Sequence, residues 1–169
     1  MKILLEGPDC TGKTTLGNVL KQIFPGEYIH NQYISDNELN SYTMEKVYSM
    51  INQTTDNENI IIDRDIISEY IYGNIYRENA RCEIEDIEDL VNTYDLIIFC
   101  LPHDRGAYLD YFKKSVGSRN EYITDKIIIE KIYNEYNFIY LKLKEELSTS
   151  SENRCKIARY DFLQFLKNF

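Results

Sequence analysis

A chain of 169 residues with a formal net charge of −9 has room for one core and lacks the basic surface that a nucleic-acid scaffold presents. Its apolar share of 43% suits a globular domain, and its four cysteines share no C-x-x-C or His-paired spacing, which excludes a disulfide framework or a zinc site as the reading. No apolar run reaches the ~18 residues of a membrane span, and Ile3-Leu4-Leu5 ahead of a Gly-Pro is too short for a signal segment, so a soluble cytoplasmic protein with reduced thiols is expected.

In chain order, residues 2–6 form an apolar run stopped by Gly7-Pro8 and read as a buried strand. Leu16, Val19, Leu20 and Ile23 recur at helical spacing until Pro25-Gly26, and Glu27 to His30 reads as a second strand. Ser35-Asp36-Asn37-Glu38 is a capping box opening a helix through Leu39, Val47, Met50 and Ile51. After a turn at 56–59, Ile60-Ile61-Ile62 is a continuous apolar strand ending on Asp63. A helix from about Ile66 to Arg77 follows, then an acidic helix with Ile84, Ile87, Leu90 and Val91 inward. Leu96 to Leu101 is the next strand, stopped by Pro102, and a helix covers about Asp104 to Lys114. A polar loop at 115–121 precedes a long helix from about Thr124 into the 140s, a surface turn at 148–153, a strand at 156–160 and a helix at 162–169. Strands alternating with helices, and strands apolar throughout, predict one α/β domain over 1–169: a parallel five-stranded sheet between two helical layers.

Gly7-Pro8-Asp9-Cys10-Thr11-Gly12-Lys13-Thr14 fits G-x-x-x-x-G-K-[ST] between a predicted strand and a predicted helix, the context of a P-loop. Glycines let the backbone turn successive N–H groups inward as an anion nest, and the helix start adds its positive dipole end. Residues Gly7 and Asp9 to Thr15 are therefore the expected ATP cradle. Lys13 would reach the β- and γ-phosphates, and Thr14 would ligate Mg2+. At the carboxyl end of the third strand, where ligands gather in doubly wound sheets, stand Asp63-Arg64-Asp65. Asp63 is a candidate for magnesium or an attacking oxygen, Arg64 offers a planar fork for phosphate, and Asp65 reads as the N-cap of the next helix.

Residues 63–73, Asp-Arg-Asp-Ile-Ile-Ser-Glu-Tyr-Ile-Tyr-Gly, resemble the D-R-Y-x-x-S-x-x-A-Y-Q motif of thymidylate kinases, and residues 5–15 resemble that family's P-loop. Chain length brings it nearest the compact phage-type members, whose three-layer P-loop NTPase fold the resemblance implies. It further implies that Asp9 approaches the acceptor sugar, that Asp63 lies between magnesium and the acceptor phosphate, and that Arg64 grips that phosphate. Ser68 and Tyr72, one helical turn apart, would line the acceptor pocket. Two positions depart from the motif, Asp65 for Tyr and Gly73 for the Gln that helps read the base, so the base stays open. Where some members carry a P-loop arginine this chain has Cys10, so the catalytic cation is expected from elsewhere, with Arg119 in the lid loop first and Arg105 on the preceding helix second, against the alternative that both are solvated surface arginines. In the fold so implied, His30 to Tyr33 and Arg77 would face the acceptor side, with ordinary loop polarity as the rival reading, Arg159-Tyr160-Asp161 would lie near the adenine, and Tyr133 and Tyr136 read as core-edge packing ahead of a substrate contact.

The expected activity is transfer of the ATP phosphoryl group, with Mg2+, to a nucleoside monophosphate, dTMP or a related deoxynucleotide. A deoxynucleoside kinase acting on a 5′-hydroxyl is the alternative, and a non-catalytic nucleotide switch a third reading. Expected partners are the nucleotides alone, with neither nucleic acid nor membrane, and a homodimer through residues 70–75 is a further possibility. A viral origin would place the protein in the host cytoplasm.

Overall fold

The computed structural model describes residues 1–31, 59–76, 80, 82–116, 125–149 and 154–167. The helix expected after the capping box at 35–38, Gln32, Tyr33, Arg77 and most of the polar loop that carries Arg119 lie outside them. The described elements are β1 (Lys2–Glu6), α1 (Lys13–Ile23), β2 (Glu27–His30), β3 (Ile60–Asp63), α2 (Ile66–Tyr76), α3 (Ile84–Glu88), α4 (Leu90–Thr93), β4 (Leu96–Cys100), α5 (Arg105–Val116), α6 (Lys126–Thr149), β5 (Lys156–Tyr160) and α7 (Phe162–Lys167).

Five parallel strands stand in the order β2-β3-β1-β4-β5. The central strands are apolar on both faces because helices cover both. Leu4, Ile60, Ile62, Ile97 and Phe99 point to one face, where α2, α5 and α6 cover them. Ile3, Leu5, Ile61, Ile98 and Cys100 point to the other, under Leu16 and Leu20 of α1. The period-2 alternation of Cβ directions within β1, β3 and β4 thus divides one apolar run between two cores. In α6, Ile129, Ile132, Tyr133, Tyr136, Ile139, Tyr140 and Leu143 are buried, a run of three- and four-residue steps that makes one continuous stripe.

Two boundaries differ from the sequence expectation. The single acidic helix is two short ones, because the chain turns at Asp89 and Leu90 begins a second helical turn. Its inward positions Ile87 and Leu90 are nevertheless buried as expected. The long helix runs through Ser148, where a turn was expected. The Ser148 and Thr149 hydroxyls donate to the Glu145 and Glu146 carbonyls at 2.6 and 2.8 Å and so complete the last turn. No helix among the described residues is long and apolar enough to cross a membrane.

Leu4 is fully buried in the middle strand. Leu4→Ala is expected to cost about 2–5 kcal/mol in urea unfolding. Ile23→Ala, at a site 62% exposed, is expected to stay within about 0.5 kcal/mol of the parent.

Candidate active site

The loop between β1 and α1 is shaped by what a side chain would strike. Gly7 has φ 150°, and a Cβ there would lie 2.3 Å from the Cys100 carbonyl oxygen of β4. The loop therefore passes against the neighbouring strand only because residue 7 is glycine. Cys10 and Gly12 both take positive φ, 59° and 78°, and the Thr11 hydroxyl pins the turn by donating to the Pro8 carbonyl at 2.7 Å. Gly12 opens α1 without a side-chain cap, and the first turn of α1 contains no acidic residue. Its N–H end thus suits an anion. Lys13 is buried, and its ammonium donates to the Gly7 and Pro8 carbonyls at 2.8 and 2.6 Å. Burial, and then Arg64 nearby, push its pKa down to about 8, so a polyanion is the natural partner for this charge. Tyr160 and Phe162 pack beside Gly12, at 3.8 and 3.2 Å from where its Cβ would stand, which puts the end of β5 against the loop.

Parallel pairing of β1 with β3 sets Leu5 opposite Asp63 and so delivers Asp63 to the same edge. Asp63 Oδ2 gathers three partners: Thr14 Oγ1 at 3.2 Å, the Tyr28 hydroxyl at 2.7 Å and His30 Nδ1 at 2.9 Å. Burial works to raise its pKa, but His30, Lys13 and Tyr28 prevail and hold the carboxyl below its usual value. Its other oxygen, Oδ1, is buried without a hydrogen-bond partner among the described residues. An ionised, half-satisfied carboxylate beside a P-loop threonine fits a magnesium site, in which one or two protein groups act together with nucleotide phosphates. Among the described residues no group of three or more His, Cys, Asp or Glu side chains could hold a metal by itself, so the nucleotide would have to share in binding it. The Tyr28 ring fits edge-on against Gly17 of α1, where a Cβ would come within 2.3 Å of it.

Arg64 follows in the left-handed region at φ 76°, its N–H on the Leu5 carbonyl at 2.9 Å and its own carbonyl accepting from Asn31 Nδ2 at 2.7 Å. This turn aims the side chain back over the P-loop. Arg64 Nη2 pairs with Asp9, Nη1 donates to Ser68 Oγ at 3.3 Å, and the guanidinium lies 5.1 Å from the Tyr72 ring centroid. The Tyr72 hydroxyl closes the group by donating to Asp9 Oδ2 at 3.1 Å. Asp9, Arg64, Ser68 and Tyr72, selected from sequence, thus stand together. Ser68 is more deeply placed than a pocket-lining residue, with its hydroxyl bonded to Glu6 and Tyr136 as well as Arg64.

Asp65 differs in its bonding from the expected N-cap. Its carboxylate is buried, accepts from the Tyr94 hydroxyl, and is pushed up to about 6 by burial. Glu6 instead receives N–H groups around the start of α2, from Asp65 at 2.7 Å and Ser68 at 3.3 Å. Sequence reasoning passed over Glu6, although a carboxylate ending a wholly apolar strand was a signal that it has partners inside. Burial pushes Glu6 up to about 7 against the pull of Ser68 and Asp65.

Arg105 pairs with Glu130 at 3.0 Å and joins α5 to α6 on the surface. Tyr133 and Tyr136 are core residues, as expected. Arg159 braces the end of β4 through the Leu101 and Pro102 carbonyls at 2.7 and 2.6 Å, and Asp161 accepts the Leu163 and Gln164 N–H groups in the first turn of α7.

Because the folded protein holds the Glu6 proton up to about pH 7 while the unfolded chain loses it near its ordinary value of about 4.5, the folded state binds more protons in between. Stability should therefore fall as pH rises from 4.5 to 7, by at most about 3 kcal/mol. Urea midpoints across that window should show the fall in the parent and a shallower one in Glu6→Gln.

Residues 2–154 match the family model described as an AAA domain. The chain is 31% identical over 147 residues to a protein of Acidianus bottle-shaped virus (isolate Italy/Pozzuoli) named "Putative thymidylate kinase", covering 79% of this chain and 92% of that one. It is 29% identical over 139 residues, 79% of each chain, to the SPbeta prophage-derived uncharacterized protein YorR of Bacillus subtilis (strain 168). The crystal structure of Bacillus subtilis YorR in complex with phosphorylated GDP superposes with a TM-score of 0.68 at 18% identity, over 97% of this chain and 87% of that one. Deoxyadenosine kinase from M. mycoides with dCMP and a flexible dCDP bound superposes at 0.56 with 15% identity, over 100% of both chains. With a glycine-shaped anion loop at the carboxyl end of β1 and a parallel sheet of the nucleotide-kinase type beneath it, the chain belongs to the AAA-domain family of P-loop proteins.

Proposed function

We propose that the protein is a nucleoside monophosphate kinase that transfers the γ-phosphoryl group of ATP to a deoxynucleotide, with dTMP or a close relative as acceptor. The observation that carries this reading is the Asp9–Arg64–Tyr72 group: a half-buried arginine, tied to a P-loop carboxylate, beside the buried lysine of the anion loop. Two fixed cations beside one loop suit two phosphate-bearing ligands meeting there. The name of the viral relative supports this reading, and the likeness in fold to deoxyadenosine kinase supports phosphoryl transfer in general.

In this reading the Gly7 and Asp9–Thr15 backbone cradles the triphosphate and Lys13 exchanges its loop carbonyls for β- and γ-phosphate oxygens. Thr14 and Asp63 would hold Mg2+, which supplies charge neutralisation on the phosphates. Arg64 holds the acceptor phosphate, Asp9 takes the acceptor sugar hydroxyl, and Tyr72 walls the pocket with Ser68 behind it. An oxygen of the acceptor phosphate forms the new bond to the γ-phosphorus as its bond to the β-phosphate oxygen breaks, and ADP leaves. The protein's part is positioning and charge, the main demands of a loose phosphoryl-transfer transition state. Arg119 is assigned the lid cation. The viral and prophage relatives extend the reading to action in a host cytoplasm.

One observation favours the alternative. His30 is oriented by Asp63 at the same sheet edge, an arrangement able to take a proton from a nucleoside 5′-hydroxyl. A coupled assay with ATP against four dNMPs and four deoxynucleosides separates the two: turnover of monophosphates is expected, and turnover of nucleosides alone would establish the alternative. Lys13→Ala should lower kcat at least about 100-fold with the far-ultraviolet circular dichroism unchanged. Arg64→Ala should weaken acceptor binding by roughly 2–4 kcal/mol, read as a raised acceptor KM with the ATP KM little changed.

A further inference from the structure

The roles assigned above leave one fully buried carboxylate without a function. Glu6 has no exposed surface and is nonetheless surrounded by donors. Its Oε1 accepts the Asp65 and Ser68 N–H groups, and its Oε2 accepts the Ser68 hydroxyl at 2.6 Å and the Tyr136 hydroxyl at 3.3 Å. A purely apolar strand end would avoid the desolvation that this carboxylate suffers. Apart from the Tyr136 hydroxyl, its partners Asp65 and Ser68 both follow Arg64 within one helical turn, and Ser68 Oγ in turn accepts from Arg64 Nη1.

The chain of contacts runs from Glu6 through Ser68 to the guanidinium and then to Asp9. Above about pH 7, where Glu6 is ionised, the Ser68 hydroxyl donates its proton to Glu6 and turns its lone pairs towards Arg64. By receiving the first N–H groups around the start of α2, Glu6 also holds the turn in which Arg64 stands at φ 76°. Asp9 would have to serve an acceptor sugar as well as Arg64, which leaves Ser68 as the brace that no ligand contests.

We propose that Glu6 is a positioning residue for Arg64, which fixes through Ser68 and the first turn of α2 where the guanidinium meets an acceptor phosphate. The inference rests on the assignment of Arg64 to an acceptor phosphate, while its core, the Glu6–Ser68–Arg64 relay, can be read without turnover.

Glu6→Gln is the informative variant. The amide oxygen can still accept the two N–H groups, but its NH2 meets the Ser68 hydroxyl as a donor and competes with Arg64 for the same lone pairs. Arginine side-chain NMR on the full chain is expected to show resolved, slowly rotating Arg64 Nη signals in the parent and averaged signals in Glu6→Gln. Titration calorimetry with dTMP and thymidine is expected to show about tenfold weaker dTMP binding in Glu6→Gln with thymidine and ATP unchanged, since a contact to a charged group is lost and the base pocket is not touched. A purely structural cap would lower the melting midpoint and leave both readouts alone; that result, or Arg64 signals and dTMP affinity equal to the parent, would overturn the proposal. Should Glu6→Gln fail to fold, Ser68→Ala cuts the relay at its middle and keeps the N–H bonds to Glu6, with averaged Arg64 signals expected and parent-like signals overturning it. A parent protein without kinase activity towards any acceptor would sink the proposed function, whereas the Arg64 spectrum judges the relay separately.

Discussion

The register between β1 and β3 is the constraint on which the site depends. Leu5 stands opposite Asp63, and the Leu5 carbonyl takes the Arg64 N–H at 2.9 Å. Those two facts put the end of one apolar strand beside the end of another, so that the loop after β1 and the turn after β3 share one edge. A shift of one residue would send Asp63 to the opposite face and remove it from Thr14. The fully buried Leu4, Leu5, Ile61 and Ile62 make such a slip costly, because it would exchange the apolar sets of the two cores.

Charge is the second ordering principle. A chain of net charge −9 nonetheless brings the buried Lys13 and the half-buried Arg64 together at one sheet edge. Each cation is held by acceptors that a phosphate can replace or join: loop carbonyls for Lys13, the Asp9 carboxylate for Arg64. The carboxylates are graded by their surroundings. Asp63, with three donors on one oxygen, stays ionised, whereas Glu6 and Asp65 are pushed upward by burial. Local desolvation and hydrogen bonding, rather than the overall field, set the character of the site.

The sheet and its helices were legible because the signals are local. Ile60-Ile61-Ile62 and Leu96 to Leu101 are runs too short and too β-branched or apolar for anything but buried strands, and the α6 stripe repeats at helical spacing over its whole length. Asp89 escaped notice because a turn between two helical segments leaves the apolar spacing of Ile87 and Leu90 intact. The end of α6 escaped because Ser and Thr are common in turns, and only the bonds to Glu145 and Glu146 show them finishing a helix.

The sequence by itself determined the anion loop, since glycines, a lysine and a threonine at fixed spacing between a strand and a helix carry their own chemistry. It also supplied Asp63, Arg64, Ser68 and Tyr72 as a group, though by motif and not by contact. Only the tertiary structure decided that Glu6, rather than Asp65, takes the Ser68 N–H in the first turn of α2, and that Tyr28 and His30 reach Asp63. The reason is separation along the chain. Glu6 and Ser68 are 62 residues apart, and Tyr28 and Asp63 are 35 apart, so no local pattern records their meeting. Parallel pairing brings them together, and burial then fixes which hydrogen bonds must form.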